Sequence, residues 1–300
     1  MHSKKLITFL KKNELKINYV DVGARDDLSP LFKKFEEQLN VAGFEVNYEE
    51  FLNLKQKFPN RKYYNFGLWS EEKNLDLYIT KEPGSSSLYK PNLKQNSKFK
   101  ARFHNSRELV DIKNMKCKPL DSITDLQIDF LKIDTQGAEY EILKGAEKHL
   151  LSKMPLVTCE TWTTEVYEKA PLMHEVIELM YDYGYELLDM SLCHSAKHNN
   201  TNKSISKAIA GGYELLFYKK SIDWKINKKS IIKNILLLDL FGYKDLAFHI
   251  FTTSKIQNVD LKNYLIKNLS PWNNKKVIGK KFLSILYNKL VGSTYLQMFD

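Results

Sequence analysis

Short, almost wholly apolar runs alternate with segments of helical apolar spacing over the first 220 residues, and this alternation constrains the fold most. Strands that are apolar on both faces are typical of a parallel sheet between two layers of helices. The last two runs have no helix between them and predict an antiparallel edge strand. The predicted strands are 17–23, 40–46, 63–69, 75–80, 128–134, 155–161, 185–190 and 212–220. The predicted helices are 30–39, 49–58, 139–150 and 172–184.

The remainder of the chain lacks this alternation. Residues 191–211 are rich in Ser, Asn and Lys and predict a long loop. Residues 221–300 combine many lysines with apolar runs such as ILLLDLF (235–241) and show no strand pattern. We therefore divide the chain into a sheet domain, residues 1–220, and a basic helical C-terminal extension, residues 221–300.

The positive charge of the chain is concentrated in its last third. The net charge is +10, and residues 197–300 hold 18 Lys, no Arg and 6 acidic residues. Such a segment is suited to an acidic substrate, an anionic membrane surface or nucleic acid. However, arginine is the preferred residue for bidentate phosphate recognition, and the chain has only 4. The composition therefore argues against nucleic acid and allows peripheral membrane contact.

Three features bear on the location of the protein. The N-terminal apolar run is too short for a signal peptide, and ILLLDLF falls far short of the roughly 20 residues of a membrane span. Cys117, Cys159 and Cys193 match no metal-binding spacing and form no even disulfide framework. We expect a cytoplasmic protein without a transmembrane segment.

Ligands of open α/β sheets bind at the carboxyl ends of the strands, so the residues that end each apolar run are candidates for the site. Asp21 and Gly23 end the first strand, and Glu45 ends the second, 24 residues after Asp21. A carboxylate at this distance is placed to accept hydrogen bonds from ribose hydroxyls. The single-glycine turn lacks the glycine pattern of dinucleotide sites. Together these residues predict an adenosine cofactor without a phosphate cradle, although a plain turn and a solvated acid remain the alternative.

Asp134 and Glu160 end two further strands and form a candidate catalytic pair. Two carboxylates on adjacent strand ends are suited to a general base or to a hard divalent cation. Ordinary roles at helix caps and strand edges are the alternative. His194 is a third candidate base, because histidine titrates near neutral pH, and His104 and His198 share this property. Histidines in loops are more often simply solvated.

Several segments resemble the FkbM-type methyltransferase family over roughly residues 17–220. The most specific match is DFLKIDTQGAEYEILKGA (129–146). The other matching segments are YVDVGARDD (19–27), GFEVNYEE (43–50), LYITKEPGSSSLYKPN (77–92) and VTCETWTTEVY (157–167). Val46 replaces a usual proline, and Asp27 stands near the place of a second glycine.

The resemblance implies a Rossmann-like class I methyltransferase. Such an enzyme moves the sulfonium methyl of S-adenosyl-L-methionine to an oxygen, often a hydroxyl of a sugar or a small metabolite. Asp21 and Gly23 would approach the methionine part, with Ala24 and Arg25 in the same site. Glu45, beside Asn47, would bind the ribose, and Leu68 and Trp69 would contact the adenine.

For catalysis the resemblance makes Asp134 the first candidate base, followed by Glu160 and His194. No metal is expected unless Asp134 and Glu160 share a divalent ion. Two alternatives to a glycan or small-molecule O-methyltransferase stay open: an RNA ribose methyltransferase, and a non-catalytic nucleotide-binding protein that kept the fold. The sequence also allows a homo-oligomer.

Overall fold

A computed structural model describes residues 2–153, 155–199, 207–220, 227–254 and 256–269. The strands are β1 (Ile17–Val22), β2 (Leu39–Phe44), β3 (Lys62–Tyr64), β4 (Gly67–Leu68), β5 (Lys73–Thr80), β6 (Leu109–Lys118), β7 (Phe130–Ile133), β8 (Leu156–Trp162), β9 (Tyr185–Ala196) and β10 (Ile209–Lys219). The helices are α1 (His2–Lys12), α2 (Pro30–Lys33), α3 (Tyr48–Lys57), α4 (Leu93–Asn96), α5 (Ala101–Asn105), α6 (Glu139–Lys144), α7 (Glu147–Lys153), α8 (Met173–Asp182), α9 (Lys228–Phe241), α10 (Lys244–Thr253) and α11 (Val259–Leu269).

The main sheet has seven strands in the order β3-β2-β1-β7-β8-β10-β9. The first five strands are parallel, and β10 runs antiparallel to both of its neighbours. Val22 pairs with Phe44 on one side and with Ile133 on the other, and Ile133 pairs with Cys159. This register brings the carboxyl ends of β1, β2, β7 and β8 to one edge. The predicted α/β fold with a mostly parallel sheet and an antiparallel edge is confirmed.

Alternate side chains of the central strands fill two separate cores, one on each face of the sheet. Val20 and Val22 of β1 lie in the core that α6 and α8 cover, together with Leu131 of β7. Tyr19 and Phe130 point to the opposite face. Because both faces are buried, these strands are apolar almost throughout, as the sequence pattern predicted.

The C-terminal helices are one of these two layers. Buried apolar residues of α9 share a core with β1, with β7 and with the N-terminal helix α1. Helix α2 is a single turn and buries only Phe32, so α9 supplies the apolar surface that covers this face. The predicted C-terminal helical extension is present in residues 228–269, and residues 270–300 lie outside the described residues. The domain boundary at 220 stays a prediction.

A buried ion pair joins α9 to the sheet. The Lys233 ammonium lies 2.8 Å from a carboxylate oxygen of Asp129, and the two side chains are 13% and 5% exposed. The same oxygen of Asp129 accepts a hydrogen bond from the backbone N–H of Asn18 (2.7 Å). Asp129 therefore links β1, β7 and α9 at the end of the sheet opposite the strand ends that carry the candidate site.

A second, smaller sheet has the order β4-β6-β5 and stands beside those strand ends. Strands β5 and β6 form an antiparallel pair whose connection, residues 81–108, contains α4 and α5. The sequence pattern did not predict β6, because nine of its ten residues are exposed or half-exposed and its apolar residues show no period.

Several predicted elements were wrong in type or length. The predicted helix 30–39 is only the single turn α2 and a short 3₁₀ segment, because β2 already begins at Leu39. The predicted strand 63–69 divides into β3 and β4, which belong to different sheets, and the predicted helix 139–150 divides into α6 and α7. The predicted loop 191–211 is strand at both of its ends, since β9 continues to Ala196 and β10 begins at Ile209, while residues 200–206 lie outside the described residues.

Candidate active site

A cavity of about 510 Å³ opens where β1, β2, β7 and β8 end. Its size falls in the usual range of roughly 300–1,000 Å³ for small-molecule and cofactor sites. The small sheet closes one side through Leu77 and Ile79 of β5. The cavity therefore lies where open α/β sheets bind their ligands.

Gly23 makes a close approach that only glycine allows. Its φ is +81°, and a Cβ atom added there would lie 2.0 Å from the backbone oxygen of Asp134. The end of β1 thus passes directly against the end of β7. The physical need for glycine comes from the backbone of the protein itself, and the same turn lines the cavity.

Glu45 and Asn47 lie together at the end of β2. A Glu45 side-chain oxygen accepts a hydrogen bond from the backbone N–H of Asn47 (2.6 Å). The Asn47 side chain caps α3 by accepting from the N–H groups of Glu49 and Glu50 (3.0 and 3.2 Å). Glu45 is 7% exposed, and burial raises its pKa to about 7 although the Asn47 bond opposes this. Glu45 is therefore a buried acceptor that titrates near neutral pH.

Lys132 is a half-buried cation between two carboxylates. Its ammonium lies 3.0 Å from an oxygen of Asp21 and 4.0 Å from an oxygen of Asp134. Burial alone would lower the pKa of Lys132, but the charges of Asp21 and Asp134 outweigh burial and raise it. Lys132 stays charged and holds both carboxylates on the floor of the cavity.

Hydrogen bonds through Gln136 and Glu160 join the three predicted catalytic residues. The amide nitrogen of Gln136 donates to Asp134 (3.1 Å) and to Glu160 (2.8 Å). The same oxygen of Glu160 lies 3.0 Å from the His194 ring nitrogen Nε2. Gln136 has a left-handed backbone, with φ at 60°, and its amide oxygen accepts from the hydroxyl of Tyr167 (3.0 Å). The amide is thus held in one orientation and places the two carboxylates side by side.

The pKa values of Asp134 and Glu160 are shifted in opposite directions in this arrangement. Burial and the nearby charge of Glu160 raise the pKa of Asp134, even though Lys132 lowers it. Burial raises the pKa of Glu160 as well, but the hydrogen bond from His194 and the further bonds outweigh it and lower the pKa overall. Two carboxyl groups whose pKa values are pushed apart can divide acid–base roles between them. Asp134 is the one suited to accept a proton.

Glu139 shapes the turn that presents Asp134. It is 2% exposed and accepts from the N–H of Thr135 (2.9 Å), the hydroxyl of Thr135 (3.0 Å) and the N–H of Gly137 (2.9 Å). Burial raises its pKa to about 7 despite these bonds. Glu139 does not line the cavity and holds the backbone between β7 and α6.

The donor set between Asp134 and Glu160 is unfavourable for a cation. The Gln136 amide nitrogen, a hydrogen-bond donor, occupies the position between the two carboxylates. Within the described residues, the ligand atoms that lie within 4.8 Å of one another are those of Glu160, Cys193 and His194. Burial and the charge of Glu160 raise the pKa of Cys193 to about 12, which keeps the thiol protonated near neutral pH. The geometry favours a hydrogen-bonded pair.

The lining of the cavity is strongly acidic. Among the described residues, the lining contains seven carboxylates and two side chains, Arg25 and Lys132, that are cationic at all working pH values. The carboxylates are Asp21, Asp26, Asp27, Glu45, Glu50, Asp134 and Glu160. None of the lysines of the described C-terminal helices lines it. The cavity therefore attracts a cation and repels a phosphate group.

Most of the predicted site residues line this one cavity. They are Asp21, Gly23, Arg25, Glu45, Asn47, Leu68, Asp134, Glu160 and His194. Ala24 and Trp69 do not line it. Trp69 is buried and packs against Tyr89, with 5.4 Å between ring centres, and its contact with the adenine stays a prediction. His104 and His198 also lie outside the cavity lining.

Lys132 and Gln136 were not predicted as site residues, and the sequence pattern did not explain Asp27. A lysine inside the apolar run DFLKID is the signal that could have identified Lys132, since such a charge needs partners when buried. Asp27 forms ion pairs with Arg61 (2.7 Å) and Lys33 (2.9 Å). Although partial burial opposes it, these pairs lower the pKa of Asp27 to about 2. Asp27 thus anchors the loop that follows Gly23.

The seven-strand order and the cavity at the strand ends define a Rossmann-like α/β methyltransferase fold. The chain belongs to the FkbM family of S-adenosylmethionine-dependent methyltransferases, because the sequence model of the methyltransferase FkbM domain matches residues 21–187, more than half of the chain. The resemblance seen in the sequence motifs is thereby confirmed. No curated protein sequence matches the chain.

Similar solved structures are methyltransferases at low sequence identity. A methyltransferase FkbM from Methylobacillus flagellatus KT is 14% identical with a TM-score of 0.41, over 68% of this chain and 44% of that one. This chain thus spans less than half of that protein. A TehB-like methyltransferase from Corynebacterium glutamicum is 11% identical with a TM-score of 0.34, over 72% and 88% of the two chains. The 1,6-didemethyltoxoflavin-N1-methyltransferase of Burkholderia thailandensis, solved with S-adenosylhomocysteine, is 10% identical with a TM-score of 0.31, over 73% and 77%.

Within the described part of the chain, none of the helices has the length and apolar character to cross a membrane.

Proposed function

We propose that the protein transfers the methyl group of S-adenosyl-L-methionine to a hydroxyl oxygen of a sugar or small metabolite. The observation that carries this proposal is one cavity with two chemically different ends. Asp21, Gly23 and Glu45 lie at the ends of β1 and β2, and Asp134, Glu160 and His194 lie at the ends of β7 and β8 and on β9. The first end suits the cofactor, and the second suits a hydroxyl acceptor whose proton is removed by a base.

The cofactor end has the hydrogen-bond acceptor and the negative charges that adenosine and a sulfonium need. Glu45 and Leu68 both line the cavity. In this proposal the Glu45 carboxylate accepts two hydrogen bonds from the ribose hydroxyls, and Leu68 makes an apolar contact with the adenine. S-adenosyl-L-methionine carries a positive sulfonium and no phosphate, which matches an acidic lining. The same lining opposes NAD, whose pyrophosphate is anionic.

The acceptor end can remove the hydroxyl proton as the new bond forms. Methyl transfer is an in-line displacement, in which alignment of oxygen and methyl carbon contributes about 7–11 kcal/mol. In this proposal Asp134 takes the proton, because its raised pKa makes it the better base of the pair. A positioned general base contributes roughly 10²–10⁴-fold. Gln136 and Lys132 hold Asp134 in place, and Glu160 orients His194.

The acidic cavity favours neutral or cationic acceptors over polyanions. An RNA ribose acceptor would bring phosphates close to Asp134 and Glu160, which argues against that alternative. A non-catalytic role is less well supported, because a carboxyl pair with pKa values pushed apart is of little use for binding alone.

Calorimetry with purified protein tests the cofactor, and transfer of a labelled methyl group to a panel of neutral polyols and sugars tests the reaction. We expect S-adenosylmethionine and S-adenosylhomocysteine to bind, NAD not to bind, and label to appear on oxygen. Binding of NAD alone would overturn the cofactor assignment. Activity lost on chelation and restored by Mg²⁺ would instead favour a metal held by Asp134 and Glu160.

A further inference from the structure

Strand β6 presents an open edge with exposed apolar side chains. Leu109, Val110 and Ile112 are 41%, 66% and 48% exposed. One edge of β6 pairs with β5 along its length, whereas β4 covers the other edge only at Cys117 and Lys118. Within the described residues no strand pairs with that edge over 109–116, which we call the open β6 edge. Such an edge is a template for pairing with another strand.

The backbone groups on the open β6 edge belong to the even-numbered residues. In an antiparallel pair, successive residues point their N–H and C=O groups to alternate edges. The backbone oxygen of Lys118 accepts from Trp69, beside β4, so even-numbered residues face that side from Lys118 back to Ile112. Consistent with this, the N–H of Ile112 donates to the side chain of Asp111 (2.8 Å) and not to β5. An irregularity in the β5–β6 register at Val110 ends this alternation. Ile112 and Asn114 thus present donors and acceptors to a partner strand.

The sequence around Ile112 is complementary to itself when the strand is reversed. In an antiparallel pair centred on Ile112, Asp111 stands opposite Lys113 of the other copy, and this occurs twice. Opposite charges directly across an antiparallel pair stabilise it, and like charges destabilise it. The charges therefore select a second copy of this chain in one register.

We propose that two copies of the protein associate through their β6 strands, around a two-fold axis at Ile112. Ile112 of each copy then forms a hydrogen-bonded pair with the partner's Ile112. The Asp111 carboxylate leaves its own backbone and meets the partner's Lys113. A self-complementary surface of this kind is what a two-fold dimer requires.

The proposed pairing of the β6 strands also bears on the cavity, because β5 lies between β6 and the cavity. Leu77 and Ile79 of β5, which line the cavity, are paired with Lys113 and Asp111 of β6. The paired charges therefore lie one strand away from the cavity wall, on the same side of the small sheet. Association stiffens this wall in both copies without adding a residue to either cavity.

Charge reversal combined with mixing tests the proposal by sedimentation or light scattering. We expect the wild type to reach about twice its 35.2 kDa mass as concentration rises. Asp111→Lys and Lys113→Asp alone each place like charges in two cross-strand positions and should raise the dimer dissociation constant at least about tenfold. An equimolar mixture of the two variants restores opposite charges in both positions and should dimerise. The double variant D111K/K113D should dimerise as the wild type does.

Glu178→Lys is the matched control, because it makes the same charge change at an exposed position on α8 and should leave the mass unchanged. The mixing arm separates loss of pairing from loss of folding, since misfolded variants would not recover on mixing. A wild type that stays at 35.2 kDa at all concentrations overturns the proposal. So does a dimer that Asp111→Lys leaves intact, because another surface then forms the interface.

Discussion

At the scale of single residues, the proposed ribose contact of Glu45 predicts that cofactor binding depends on pH. Its pKa is raised to about 7, mainly by burial, and only the ionised carboxylate can accept both ribose hydrogen bonds. The ionised fraction falls as pH drops below this value, so affinity for S-adenosylhomocysteine should fall about tenfold between pH 8 and pH 6. Calorimetry across this range measures it.

Glu45→Gln is the control for this pH effect, because it keeps the shape of the side chain and removes its titration. The variant should bind more weakly than the wild type at pH 8 and lose most of the pH dependence. A wild-type affinity that rises toward pH 6 would contradict the assignment of Glu45 to the ribose. Glu139 also titrates near pH 7, and a pH effect that survives in Glu45→Gln would point to that residue.

Asp134 is expected to act in the chemical step and hardly in cofactor binding. Asp134→Asn keeps the hydrogen bond that Gln136 can offer to its oxygen and removes the base. The rate of methyl transfer should fall roughly 10²–10⁴-fold, with the affinity for S-adenosylhomocysteine changed little. Single-turnover kinetics and calorimetry measure the two effects separately. Full turnover by the variant would exclude Asp134 as the base, and His194→Gln is the next variant to compare.

At the scale of secondary-structure elements, α9 depends on the buried pair of Lys233 and Asp129. Lys233→Met removes the cation and leaves the Asp129 carboxylate, 5% exposed, with only the N–H of Asn18 as a partner. Breaking a buried ion pair from one side costs about 3–5 kcal/mol of unfolding free energy. Urea unfolding followed by circular dichroism measures the loss.

Lys229→Met on the exposed side of the same helix is the comparison and should change the unfolding free energy by less than about 0.5 kcal/mol. The double variant D129N/K233M removes both charges and should recover part of the loss. Equal effects of Lys229→Met and Lys233→Met would show that the buried pair does not hold α9 on the sheet.

The elements that sequence could predict are those buried on both faces. The strand ends at Asp21, Glu45, Asp134 and Glu160 followed directly from apolar runs, and they brought together most of the site. Strand β6 and the end of β9 were missed because exposed strands have no apolar period. The predicted helix 30–39 had the right spacing, but β2 begins at Leu39 and α9 covers the face it would have covered. Tertiary packing determined the secondary structure of that segment, and its local sequence pattern did not.

At the scale of the whole molecule, the sign of the charge differs between the exterior and the cavity. The chain carries a net charge of +10, whereas the cavity lining has five more carboxylates than permanent cations. Asp26→Asn removes one of these carboxylates from the exposed rim. A charge pair about 10 Å apart in water interacts by roughly 0.4 kcal/mol, so the variant should reduce the preference for S-adenosylmethionine over S-adenosylhomocysteine about twofold. Competition calorimetry gives this ratio, and an unchanged ratio would show that rim charge does not contribute.

The acidic lining has a kinetic consequence for the proposed reaction. The cofactor enters with a positive sulfonium and leaves as a neutral thioether. Each turnover therefore removes the positive charge of the ligand inside a negatively charged cavity. The spent cofactor is then held less firmly than the fresh one, and its departure is favoured without any movement of the chain. Inhibitors of this protein should follow the same rule: a nucleoside analogue with a fixed positive charge at the sulfur position should outcompete the uncharged product.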